Sequence, residues 1–160
     1  MTLEQLKSSF SFFDPRLYQI ISLGTLLSYG LLWLHFDVTA LQVAVTFGTA
    51  LLTQYAGTRW YRLPSYDPLS AIVSAIGLCV FLRTNDLFVA ALASVIAIGS
   101  KFLIRWKGKH LFNPTNLGLT IMMITGLGWI SPGQWGQVAW FGLLVVGLGS
   151  LVVTRTVRAD

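Results

Sequence analysis

The sequence predicts an all-α polytopic membrane protein, and three observations carry this prediction. Of the 160 residues, 54% are hydrophobic and only 11% are charged, whereas soluble domains carry about 25% charged residues. The apolar residues form about six segments separated by short polar stretches, which is typical of a chain that crosses a membrane repeatedly. The basic residues flank these segments, as residues that set membrane topology do.

The segments divide the chain into three parts. Residues 1–16 are predicted to form an N-terminal interfacial segment, residues 17–154 a transmembrane domain and residues 155–160 a cytoplasmic tail. The predicted transmembrane segments are 17–36, 38–57, 69–82, 87–104, 117–130 and 138–154. Two of them, 69–82 and 117–130, have roughly 14 residues and reach only some 21 Å as helices, less than a bilayer core of about 30 Å.

The distribution of basic residues predicts the orientation. With a cytoplasmic N-terminus and six crossings, all of the 11 Lys and Arg residues except Arg83 flank the cytoplasmic side. We therefore expect a multi-pass protein of the cell inner or plasma membrane with both termini in the cytoplasm. The net charge of +5 is explained by this topology, and no nucleic-acid partner is expected.

The two short segments begin in the same way. Asp67-Pro68 precedes the first and Asn113-Pro114 precedes the second, and Asp or Asn followed by Pro is a strong helix start. Short segments in corresponding positions indicate a binding site in transporter folds, where they act as half-helices. The other interpretation, that flanking residues complete two full spans, stays open.

Polar residues at the ends of the short segments are the candidate ligand or cofactor residues. They are Asp67, Ser70, Arg83 and Thr84 at the first segment, and Lys109, His110, Asn113, Thr115 and Asn116 at the second. Arg83 either lines a polar cavity or complements a helix C-terminus and pairs with Asp86. The amides either cap a helix or form an anion site. The pattern predicts neither a catalytic residue nor a metal site.

The stretch GKHLFNP, residues 108–114, resembles a signature of one membrane family. The family contains the RnfD subunit of the Rnf electron-transport complex and the NqrB subunit of the Na⁺-pumping NADH:quinone oxidoreductase. Pro68-Leu69-Ser70 and Leu82-Arg83-Thr84 also fit it, so the resemblance covers residues 60–130. Family members are longer, and this chain is similar to one half of such a subunit.

The resemblance implies a fold, a cofactor and a function. The fold is one repeat of a urea-transporter-like architecture, and the function is a contribution to ion-coupled electron transport or transmembrane transport. The family binds flavin, but the chain has no S-G-A-T-like stretch for covalent attachment. The implied cofactor is therefore a non-covalent flavin, FMN or riboflavin, and any enzymatic role is that of a non-catalytic or flavin-binding subunit.

Two other functions stay open at this point. One is a half-size channel or small-solute transporter that dimerises and has no redox role. The other is a membrane scaffold subunit. The partners expected for all three are membrane lipid and a second copy of the chain or other membrane subunits, because half of a repeat fold leaves the faces of its short helices uncovered.

Overall fold

The computed structural model describes residues 14–106, 109–130, 143 and 146–150. Its helices are α1 (Pro15–Leu32), α2 (Ala40–Trp60), α3 (Pro68–Phe81), α4 (Leu87–Leu103) and α5 (Pro114–Ile124). Its short strands are β1 (Leu82–Arg83), β2 (Arg105–Trp106), β3 (Lys109–His110) and β4 (Trp129–Ile130). Residues 143 and 146–150 are also helical. Residues 1–13, the tail 155–160 and most of the predicted segment 138–154 lie outside the described residues.

The two short helices begin at the residues that the sequence predicts. Oδ1 of Asp67 accepts a hydrogen bond of 3.3 Å from the backbone N–H of Ser70, and Pro68 is the first residue of α3. Oδ1 of Asn113 accepts the equivalent bond of 3.3 Å from Asn116, and Pro114 is the first residue of α5. Both starts are local, because the cap oxygen accepts from one early N–H of the helix and the proline has no N–H that needs a partner.

Helix α3 lies at the centre of the fold and contacts α1, α2, α4 and α5. More than half of its residues are buried. Its Leu78 packs with residues of α4 and α5, its Ala71 and Ala75 pack with α2 and α4, and its Ile76 packs against α1. The core is therefore built around a helix of only 14 residues.

Helix α2 buries its polar side and exposes its apolar side. The buried row has four-residue spacing and consists of Gln42, Thr46, Ala50, Gln54 and Thr58. The exposed row consists of Leu41, Ala44, Gly48, Leu52 and Tyr55. This arrangement is the reverse of an ordinary amphipathic helix, whose apolar stripe faces the core. The hydrogen-bonding side chains of α2 therefore lie among α3 and α4.

The two short helices are joined where they end. Strand β1 directly follows α3, and β4 follows α5 after a turn at Gly126, which has a φ of 70°. The two strands pair antiparallel, with Leu82 opposite Ile130 and Arg83 opposite Trp129. A second pair joins β2 to β3, with Arg105 opposite His110.

The prediction of an all-α membrane-spanning fold is wrong. Across residues 14–106, 109–130, 143 and 146–150, no helix combines the length and the apolar character needed to cross a bilayer. Helices α1 and α2 have 18 and 21 residues but carry many Gln, Ser, Thr and Tyr side chains. Helices α3, α4 and α5 are more apolar but have only 14, 17 and 11 residues.

Three further predictions depend on membrane-spanning segments, and the same finding overturns them. They are the urea-transporter-like repeat, the assignment to membrane transport, and the location in the inner or plasma membrane with both termini cytoplasmic. The sequence was interpreted as a series of membrane spans because its apolar content is high. The apolar content does not show how the apolar residues are divided among helices, and each of these helices has a limited length.

Candidate functional site

The nine candidate residues do not form a single site. Asp67 and Ser70 lie at the start of α3, and Arg83 and Thr84 lie just beyond its end, separated by a helix of 14 residues, or roughly 21 Å. The remaining five lie in β3, at the N-cap of α5 and in its first turn. The candidate residues therefore lie in three separate places of the fold. Two of these places contain a charged side chain that is largely buried.

The first place is a polar cluster at the start of α3, and we call it the α3-start cluster. Asp67 forms an ion pair with Arg16 of α1. Nζ of Lys101, in the last turn of α4, donates hydrogen bonds to Oγ of Ser70 at 2.9 Å and to Oε1 of Gln54 at 3.3 Å. The cluster thus ties four helices together through side chains.

Burial lowers the pKa of Lys101 from 10.5 to about 8. Desolvation is the largest cause, because a partly buried ammonium loses most of its hydration. The nearby Asp67 carboxylate opposes this effect, and the Arg16 guanidinium adds to it. Lys101 therefore loses its proton at a lower pH than an exposed lysine does, while it contacts an amide and a hydroxyl.

The second place surrounds Arg83, which is only 2% exposed. Its Nη1 donates to the backbone oxygens of Cys79 at 3.2 Å and Leu82 at 3.0 Å. Its Cζ lies 4.7 Å from the ring centroid of Phe36. Burial lowers the pKa of Arg83, and Asp37 and Cys79 oppose that change. The sequence suggested that Arg83 either lines a polar cavity or complements a helix C-terminus. Its hydrogen bonds to backbone oxygens at the end of α3 fit the second role.

Asp86, which the sequence suggested as the partner of Arg83, caps the following helix. Oδ1 of Asp86 accepts a hydrogen bond of 2.8 Å from the N–H of Phe88 and caps α4. The N–H of Asp86 donates to Oγ1 of Thr84 at 3.2 Å. Thr84 and Asp86 therefore shape the turn between β1 and α4.

The thiol of Cys79 lies in the same place and is deeply buried. Desolvation raises its pKa from 9.0 to about 12, a change that a hydrogen bond with Thr46 and the charge of Arg83 reduce. Cys79 is 3% exposed, so the thiolate has no access to water. The residue acts as a small buried side chain, because a reactive thiol needs a lowered pKa and exposure.

The buried row of α2 connects the two places. Thr46 contacts Cys79 at the end of α3, and Gln54 contacts Lys101 at its start. Sequence reasoning missed Gln54, Thr46 and Lys101. Lys101 was interpreted as a charge that flanks a membrane span. The buried row of α2 could have been found from the four-residue spacing of Gln and Thr in an otherwise apolar helix.

The third place is the start of α5. His110 and Asn116 are exposed, and Asn113 caps the helix through its side chain. Thr115 faces inward, where its Oγ1 donates to the backbone oxygen of Ser74 at 3.4 Å. Lys109 lies in β3 opposite Trp106. Asn113 and Thr115 thus serve the helix start and its packing on α3.

Metal and flavin binding each require several suitable groups in one place. Within the part of the chain that the structure describes, no three His, Cys, Asp or Glu residues lie close enough to hold a metal ion. A flavin needs one slot for its ring system and donors around it. The nine candidate residues lie in three places, so a flavin bound at any one of them would contact only some of the nine.

Comparisons of the chain with family models, curated proteins and solved structures found no match. The similarity to RnfD and NqrB therefore rests on the sequence stretches alone and stays a prediction.

Proposed function

We propose that the chain is a non-catalytic subunit of an electron-transport assembly and packs against a second copy of itself. The observation that carries the proposal is the reversed orientation of α2, which turns its polar row inward and its apolar row outward. A helix with an apolar outer row needs a partner to cover it. The geometry of α2 supports the contact with a second copy of the chain. The sequence resemblance supports the electron-transport role.

The outer row of α2 has the composition of a helix contact. Leu41, Leu52 and Tyr55 are 59%, 69% and 55% exposed. Ala44 and Gly48 lie between them, and a Cβ placed on Gly48 meets no atom within 4 Å. Covering a large apolar side chain contributes about 1.5–3 kcal/mol, and small residues between such side chains allow two helices to approach closely. The row carries no charge, which suits a contact between identical copies.

The electron-transport part rests on GKHLFNP and on the Pro68-Leu69-Ser70 and Leu82-Arg83-Thr84 stretches. Their similarity to RnfD and NqrB also implies a non-covalent flavin, FMN or riboflavin. The proposed subunit therefore holds a flavin without covalent attachment.

One purified sample tests both parts of the proposal. Sedimentation gives the mass of the assembly, and the visible absorbance spectrum shows whether a flavin is present. We expect a mass of at least two chains together with flavin absorbance. A monomer contradicts the packing, and an assembly without flavin contradicts the electron-transport role and favours a scaffold.

A pair of glycine variants tests where the copies meet. Gly48→Leu places a large side chain on the outer row of α2 and should shift the assembly toward monomer. Gly99→Leu is the matched control, because Gly99 is also a helical glycine with no atom within 4 Å of an added Cβ but lies in α4. Equal effects of the two variants would contradict an interface on α2.

A further inference from the structure

An open cavity lies at the C-terminal end of α2, one helical turn beyond Gln54 of the α3-start cluster. Its volume is about 560 Å³, and it is lined by Ala56, Thr58, Arg59, Trp60, Arg62 and Leu63. Ligand sites for small molecules have volumes of about 300–1,000 Å³. The cavity is therefore large enough for a small organic ligand.

The lining is cationic. It includes the guanidinium groups of Arg59 and Arg62, and among the described residues no acidic side chain lines it. Guanidinium groups bind phosphate through two parallel hydrogen bonds, a geometry that ammonium groups do not match. Two of them in one cavity favour a ligand with a phosphate group.

The backbone of Arg62 supports a role for its side chain. Arg62 has a φ of 50°, in the left-handed region that favours glycine. It follows the helix in a Schellman turn, in which the N–H of Leu63 donates to the oxygen of Thr58 at 3.0 Å and the N–H of Arg62 donates to the oxygen of Arg59 at 3.2 Å. An arginine where glycine fits better indicates a function for the guanidinium, because such local departures concentrate at functional sites.

An aromatic side chain forms another part of the lining. Trp60 is 84% exposed, so the faces of its indole are available for stacking. The neighbouring Tyr61 stacks on Phe102 of α4, with ring centroids 5.7 Å apart and an angle of 18° between the planes. Gly57 permits this contact, since a Cβ there would lie 2.4 Å from the Phe102 ring. The end of α2 is thus fixed against α4, which holds the cavity in shape.

The geometry points to this cavity as a binding site for a small organic phosphate that carries an aromatic ring, such as a nucleoside monophosphate. Arg59 and Arg62 bind the phosphate, and the indole of Trp60 stacks on the ring. The inference rests on the residues that line the cavity and not on the proposed electron-transport role. FMN also carries a phosphate and an aromatic ring, so AMP is the probe and the sample must show no flavin absorbance, which keeps the two tests apart.

Titration calorimetry of the full chain at low salt tests the site with three probes. AMP carries both groups, ribose 5-phosphate lacks the ring and adenosine lacks the phosphate. We expect AMP to bind roughly tenfold more tightly than ribose 5-phosphate, because a stacked base contributes that much, and adenosine to bind most weakly. No heat with AMP at millimolar concentration, or equal binding of AMP and ribose 5-phosphate, would overturn the inference.

Three variants locate the site. Arg62→Gly removes a guanidinium where glycine suits the backbone, so we expect AMP affinity to fall about tenfold or more while the stability in urea is retained. Trp60→Leu should reduce AMP binding to the level of ribose 5-phosphate. Arg105→Gln, which removes an exposed charge in β2, is the control and should retain wild-type affinity. Equal losses in Arg62→Gly and Arg105→Gln would show that only net charge attracts the anion.

Discussion

Nζ of Lys101 lies 2.9 Å from Oγ of Ser70, and this hydrogen bond joins the last turn of α4 to the first turn of α3. The two residues are 31 positions apart in the chain. The contact brings a titratable amine to a helix start that already contains the Arg16–Asp67 ion pair. The protonation of Lys101 is therefore coupled to the packing of the central helix.

The first prediction concerns pH. The pKa of Lys101 is about 8 in the folded chain and 10.5 when unperturbed, so between these values the unfolded chain binds the additional proton. The free energy of unfolding should therefore rise with pH, by about 1 kcal/mol from pH 7 to pH 9. Chemical denaturation at the two pH values measures this rise.

Lys101→Met is the control for that experiment and should remove the rise. The difference between wild type and variant also cancels the contribution of the Cys79 thiol, whose raised pKa lowers stability as the pH approaches and passes 9. A variant that keeps the full slope would assign the effect to another group.

The second prediction concerns thiol reactivity. Cys79 is the single cysteine of the chain, and its pKa of about 12 leaves a thiolate fraction on the order of 10⁻⁴ at pH 8. We expect iodoacetamide to modify the native chain slowly and the denatured chain quickly, as measured by mass spectrometry. Thr46→Val removes the hydrogen bond that lowers this pKa and should slow the native reaction further. Rapid modification of the folded chain would show that the thiol is accessible.

The third prediction concerns the contact between the two short helices. A Cβ on Gly77 of α3 would lie 2.9 Å from Cγ2 of Thr115, so Gly77→Ala should destabilise the fold by about 1–3 kcal/mol. Thr115→Ser removes Cγ2 and keeps Oγ1, which would lie 3.1 Å from the added Cβ. The double variant should therefore recover part of the loss in thermal denaturation, and additive losses would place the strain elsewhere.

The fourth prediction concerns the backbone of Arg62. Its φ of 50° suits glycine, so Arg62→Gly should leave the free energy of unfolding unchanged or raise it by up to about 1 kcal/mol. Urea denaturation of the variant beside wild type gives the difference. A clear loss of stability would mean that the guanidinium supports the fold.

The helix starts were predictable because their causes are local. Asp67-Pro68 and Asn113-Pro114 each contain the cap and the first helical residue, and both helices begin there. The α3-start cluster was not predictable in full, since Gln54 and Lys101 meet across 47 positions. No local pattern reports a contact of that separation.

The membrane-spanning fold was predicted wrongly for a related reason. A high apolar content does not distinguish one long helix from a shorter helix that is followed by a turn and a strand. The segment 117–130 was interpreted as one helix, but α5 ends at Ile124 and the chain turns at Gly126 before β4. The turn depends on pairing with β1, which lies far away in the sequence.

The β1–β4 pair has a consequence for the dynamics of the fold. Its backbone hydrogen bonds connect the ends of two helices that lie far apart along the chain, so neither end can open while the other stays closed. In hydrogen exchange, the amides of Arg83, Trp129 and Ile130 should therefore become exposed together with the amide of Leu82, which donates to the oxygen of Leu78 at the end of α3. The two short helices would then fray from their capped starts and not from their joined ends.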